Sequence, residues 1–210
     1  MEERKNKMSS KEEILNRLRK NVRETYDMPD LSFPKLTFDD PVAEFIHQTT
    51  TAAGAHLVEM HEGDDINDII RQAYPNAKVV SSNVAGVKAD RNPDEVAKAQ
   101  DLDGTDVGVA EGGVACAENA CVWVPMNMKQ KAVCFISENL VIIVHRENIV
   151  SNMHQAYEWL NSRGSGIKNQ TETSLYGFGS FISGPSKTAD IEQALVYGAQ
   201  AAKDVTVVLA

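Results

Sequence analysis

The chain has 210 residues, with 30 Asp and Glu against 21 Lys and Arg and a formal net charge of −9. A chain of this length buries a sizeable core without covalent staples, as one domain or one domain with a helical attachment. The acidic balance argues against nucleic acid as a partner, because holding phosphates needs a basic face.

In chain order, residues 9–13 open a helix, with Ser10 and Glu13 spaced as a capping box. Ile14, Leu15, Leu18 and Val22 then form a narrow apolar stripe, and Glu13 and Arg17 a favourable i,i+4 pair. Pro29 and Pro34 keep residues 27–40 extended. Residues 1–40 therefore read as an N-terminal helix and arm, appended to an α/β domain over residues 41–210.

The domain alternates helix and strand. Asp40-Pro41 starts a helix to about residue 53, residues 55–60 form a strand, and residues 64–73 a helix with Ile66, Ile69 and Ile70 on one face. A short strand at 77–81 and a helix at 94–99 follow. The strand at 107–111 ends in a Gly-Gly turn, and residues 120–125 and 131–136 are two further apolar segments. Residues 140–144 are apolar at every position, which calls for burial on both faces and marks a parallel sheet. A helix at 147–161 turns Ile149, Val150, Met153, Tyr157 and Leu160 inward. A strand ending at Ile182, a helix at about 188–202 and a buried strand at 205–209 close the chain. This alternation predicts an α/β fold with a mostly parallel sheet flanked by helices.

The N-terminus carries no apolar signal core, and the longest aliphatic run, residues 140–144, is far too short to span a membrane. With three cysteines, an odd number, these features point to a reducing, cytoplasmic setting.

Two segments carry candidate chemistry. Ser183-Gly184-Pro185-Ser186-Lys187-Thr188-Ala189-Asp190 compresses a strand end, a tight turn and the expected helix start into a few residues. The free N–H groups of a helix start can hold an anion, with Lys187 adding charge and Ser183, Ser186 and Thr188 adding hydroxyl donors. The plain alternative is a connection in which Gly184 supplies backbone freedom and Ser186 or Thr188 the cap. Asp190 favours that alternative, since an acid in the first turn repels a bound anion. The second segment, Asp106 to Gly113, puts Glu111 at the end of a buried strand, followed by Gly112 and Gly113. There α/β sheets place their sites, and Glu111 suits a nucleophile, a base or an acceptor for a donor group. The alternative is a solvated turn glutamate. His145 closes the strand at 140–144 and either faces a crevice or caps the strand. The histidines form no zinc pattern, and the Cys116, Cys121 and Cys134 spacing matches no iron–sulfur motif, so no metal site is expected. Cys121 and Cys134 read as core. Cys116, in a Gly/Ala-rich loop, is the thiol to test for reactivity.

The run from Ser183 to Glu192, with a strand ending the chain soon after, resembles the C-terminal signature of the lactate-utilization protein C family, the LUD domain. Residues 106–113 look like that family's Ala-Glu-Thr-Gly box. The resemblance implies a fold similar to the NagB, ribose-phosphate isomerase and CoA-transferase group. It also implies a bacterial system that oxidises L-lactate to pyruvate with two iron–sulfur partner proteins, the clusters being held by the partners and no cofactor by this chain. Gly112 stands where the family has Thr, Val114 replaces a second Thr, and a Gly-x-His-Gly-Pro segment is missing after the second box. The resulting expectation is an accessory subunit that binds a small carboxylate, a phosphate or a partner segment at a crevice formed by Glu111, Gly112 and Gly113 with the 183–190 turn. The alternative is a stand-alone CoA-transferase-like or sugar-phosphate-isomerase-like enzyme using Glu111 as nucleophile or base.

Overall fold

A computed structural model describes residues 9–22, 24, 26–27, 29–30, 35–163, 178–191 and 193–210. The chain divides into two compact units, residues 1–34 and 35–210. In the first, helix α1 (Ser10–Asn21) is capped by Ser9 and Glu12, one residue earlier than the spacing of Ser10 and Glu13 suggested, and none of its residues is buried.

In the second unit, α2 (Pro41–Gln48) begins at the Asp40 cap and runs into a π-turn, Thr49–Ala53, followed by β1 (His56–Glu59). Helix α3 (Ile66–Ala73), β2 (Val80–Ser82), β3 (Val107–Glu111), β4 (Val114–Cys116) and β5 (Cys121–Pro125) follow. After these come α4 (Val133–Ile136), β6 (Asn139–Val144), β7 (Ile149–Val150), α5 (Met153–Ser162) and β8 (Gly179–Ile182). The short β9 (Lys187–Thr188) and β10 (Val196–Tyr197) precede β11 (Asp204–Leu209). The fold is mixed α/β with a parallel central sheet, in the order β1-β11-β6-β3-β2.

Strands β6 and β11 are apolar at nearly every position because both of their faces are covered. Val107, Val109, Val141 and Val208 pack with Ile69 and Ile70 of α3 on one face. Ala110, Leu140, Ile142, Val144, Val205, Val207 and Leu209 turn to the other, where Phe45 of α2 and Val122 and Val124 of β5 meet them. β5 belongs to a second sheet, ordered β7-β4-β5-β8, whose far side packs on Ala156 and Leu160 of α5. Gly112 joins the two sheets: a Cβ there would collide with Val122 Cγ1. The space that a threonine would occupy is filled from the partner sheet.

Four local expectations change. No helix covers residues 188–202 among the described residues. Lys187 and Thr188 pair antiparallel with Tyr197 and Val196, and the Gly198 N–H donates to the Ser186 carbonyl at 3.0 Å. Ile191 and Leu195, the helix's prospective buried face, stand in solvent, so no packing sustains it. Left-handed Gln193 (φ 57°) and Gly198 (φ 77°) interrupt it further. Helix α5 starts at Met153 rather than 147, because Asn152 caps it and residues 149–150 are drawn into a parallel pair with β4. Tyr157 on that helix is exposed, not inward. Residues 131–136 contribute the helical turn α4, and residues 94–99 form turns leading into a 3-10 turn at Ala99–Leu102.

Two predictions follow from this packing. Gly112→Ala overpacks the joint and lowers stability by about 1–3 kcal/mol, and Val122→Ala in the same chain recovers part of that loss in urea unfolding. Equal losses in the single and double variants would refute the steric account. The Asp106 carboxylate accepts the N–H groups of Lys78 (2.7 Å) and Val79 (2.8 Å), which hold its pKa below the ordinary aspartate value. Its stabilisation is fully present above the unfolded value of about 3.9 and is lost as pH falls through the lower folded value. Asp106→Asn should therefore flatten the acid limb of the stability–pH curve, and an unchanged acid slope would count against this role.

Candidate functional site

The parallel register sets the carboxyl ends of β3 and β6 level. Glu111 is the partner of Ile143, so His145, two residues further on, emerges beside it. Glu111 Oε1 lies 3.8 Å from His145 Nε2, and both side chains are about half in solvent. The partner that Glu111 lacks in the linear sequence is thus supplied by the neighbouring strand. At the same edge Arg146 pairs with Glu59 at the end of β1.

Glu111, Gly112 and Gly113 line a cleft of about 400 Å³ with Asn83, Val84, Ala85, Pro125, Asn127 and Met128. It opens where the chain reverses direction across the sheet: β1 and β2 occupy opposite edges, and β3, β6 and β11 step back toward β1. Crevices at the carboxyl ends of parallel strands are where open α/β sheets bind ligands. Asn83 directly follows β2, much as His145 follows β6, so the carboxyl-end rule applied to every strand would have identified it. Asn127 and Met128 come from beyond β5, which no local pattern linked to this edge.

The lining has one carboxyl side chain, Glu111, two amides and no Lys or Arg. It favours a group that donates a hydrogen bond over a second carboxylate. The glycine amides are already committed, Gly112 N–H to the Ile143 carbonyl at 2.7 Å and Gly113 N–H to that of Trp123 at 2.8 Å. Their contribution is close backbone approach rather than free donors.

The crevice expected between Glu111 and the 183–190 turn does not form. That turn lies at the amino ends of the same strands, where Ser186 N–H donates to the Ala202 carbonyl (2.9 Å), just before β11. Lys187 Nζ donates to the carbonyl of Ala53, before β1, and Ser183 Oγ donates to the Asn119 carbonyl (2.8 Å) at the tip of the β4–β5 hairpin. Gly184 is left-handed (φ 64°), and a Cβ on it would strike the Ala53 carbonyl. Thr188 is half-buried, with its Oγ1 3.5 Å from the Asp190 N–H, and Asp190 is exposed. Without a helix start, the basis of the anion cradle is gone, and the segment acts as a joint between three parts of the domain. Glu192 lies outside the described residues.

Cys116 sits in β4, not in a loop, and all three cysteines are buried. Among the described residues no three His, Cys, Asp or Glu side chains gather as a metal ion would require. Three cysteines, with Cys134 apart on α4, do not fit the usual four-thiolate cluster. Among the described residues no helix is long and apolar enough to cross a membrane.

No curated protein matches this sequence. The crystal structure of a DUF162 family protein from Deinococcus radiodurans at 1.70 Å resolution has the same fold, with a TM-score of 0.56 at 16% identity over 80% of this chain and 97% of that one. The LUD domain family profile matches residues 86–210, which include β3 with Glu111, β6 with His145 and the closing strand β11. The chain belongs to the LUD domain family.

Proposed function

We propose that this chain is a cytoplasmic accessory component of bacterial L-lactate oxidation, working beside proteins that carry the iron–sulfur clusters, and that its working site is the cleft lined by Glu111, with His145 beside that carboxylate. The family match over residues 86–210 supports the lactate context. The observation that carries the site is the Glu111–His145 pair, 3.8 Å apart at the carboxyl edge of the parallel sheet. A carboxylate and an imidazole at that distance can share or relay a proton on a bound hydroxyl, and the two asparagine amides can orient the rest of the group. The lining's lack of a cation means that a small 2-hydroxy acid would approach Glu111 through its hydroxyl. A partner segment would approach through a backbone N–H or a side-chain donor. A phosphate is the poorer fit.

The same pair also favours a second reading, a stand-alone acyl- or CoA-transferring enzyme. There Glu111 would attack as the nucleophile and His145 would steady its charge. Purified chain incubated with acyl-CoA would then gain a covalent adduct on Glu111, visible by peptide mass mapping. No adduct is expected under the accessory reading.

Deleting the gene should abolish growth on L-lactate, and restoring the wild-type copy should recover it. Where Glu111 moves a proton, Glu111→Gln leaves lactate-dependent respiration about 10²-fold lower, with the protein still folded. Full growth of the deletion strain on lactate would sink the lactate reading, and full activity of Glu111→Gln would sink the site. Lys187→Met should lower stability by about 0.5–1.5 kcal/mol through its lost bond to Ala53 and leave lactate growth intact. Lost growth with unchanged stability would restore a ligand-binding role to the 183–190 turn.

A further inference from the structure

Cys116 and Cys121 face each other across the last rung of the β4–β5 hairpin, their Cα atoms in direct antiparallel register. Directly opposed residues of such a pair hold their Cβ atoms about 4.5–5.5 Å apart, and a disulfide needs about 3.5–4.5 Å, so closure requires a shift of only about an ångström. The Cys121 thiol donates to Met153 Sδ at 3.5 Å and is free to turn from that weak acceptor toward Cys116. Cys134 lies apart on α4, and burial pushes its pKa up to about 12.

We infer that Cys116 and Cys121 are an oxidisable dithiol that closes to an intrachain disulfide under hydroperoxide and reopens with a dithiol reductant. The two thiols have different roles. The neighbouring Cys121 thiol holds the Cys116 pKa below the ordinary thiol value against the opposing effect of burial, so Cys116 is the sulfur that reaches the thiolate. The Cys116 sulfur beside it and burial push the Cys121 pKa up, so Cys121 keeps its proton. The Cys116 thiolate attacks one peroxide oxygen, the O–O bond breaks, and the other oxygen leaves as an alcohol or water after taking a proton. Cys121 then displaces hydroxide from the resulting sulfenic acid, its proton leaving with that hydroxide as water. Two thiols and one hydroperoxide thus give one disulfide, one alcohol and one water. Both sulfurs are shielded, so access comes by opening the hairpin tip, where Ala120 is strained in the left-handed region (φ 53°).

The bond would clamp the tip that receives Ser183 Oγ at the Asn119 carbonyl and that caps α5 through Glu118 Oε1 and the Met153 N–H (2.9 Å). This inference rests on the hairpin alone and is independent of the role of Glu111.

The test treats the folded full-length chain with hydrogen peroxide and reads intact mass, free-thiol count and the linked peptide. The expected result is a loss of two hydrogen masses, a fall from three titratable thiols to one, a Cys116–Cys121 linked peptide, and full reversal by dithiothreitol. Cys134→Ser should still lose two hydrogen masses, whereas Cys116→Ser and Cys121→Ser should not. The wild-type linked peptide decides the matter even where a serine variant fails to fold. Retention of all three thiols, addition of oxygen without loss of hydrogen, linkage through Cys134, or closure only in denaturant would each overturn the proposal.

Discussion

β6 lies between β3 and β11 and holds both in parallel register through its backbone, while its side chains are buried on both faces. A shift of one residue in either pairing would turn the α3 side of a strand toward the second sheet and the reverse. Val141, packed under α3, and Ile142, packed under β5, would change places. The buried area on the two faces therefore locks the register, and the register fixes the level at which each strand ends.

The two edges of the sheet differ in consequence. At the carboxyl edge the strands stop with polar groups pointing into solvent: Glu59, Glu111, His145 and Arg146. The loops that follow β2 and β5 close over part of that row and leave a cleft. At the amino edge the chain enters β1 and β11 through tight backbone contacts, and the segment at 183–187 is consumed in making them. Its lysine, serine and glycine satisfy carbonyls and avoid clashes, which is the work of a structural joint.

Much of this was legible in the residues. Successive apolar positions at 140–144 and 205–209 announced strands buried on both faces, and both are central strands. Asp40-Pro41 and the isoleucines of α3 announced helices, and both form. The expected helix at 188–202 failed because Ala, Glu, Gln and Leu favour helix locally, yet Ile191 and Leu195 have no cover among the described residues. The start of α5 was misplaced because Ile149 and Val150 suit a helix face as well as a strand. Only the presence of β4 alongside decides between them.

The linear chain was enough for the fold class, the family, and the separate candidacy of Glu111, His145 and Cys116, because burial periodicity and motif order are properties of the residue order; that Cys121 stands opposite Cys116 came from strand pairing. Which of these residues meet was decided by tertiary structure alone. Glu111 and His145 lie on strands that are not consecutive in the chain, and parallel pairing brings them together. Glu111 and Lys187, read as one site, lie at opposite edges of the central sheet, Lys187 beside the segment that enters β1. Strand direction causes both outcomes, since in a parallel sheet all carboxyl ends share one edge, and no local pattern of residues records which loop returns to it.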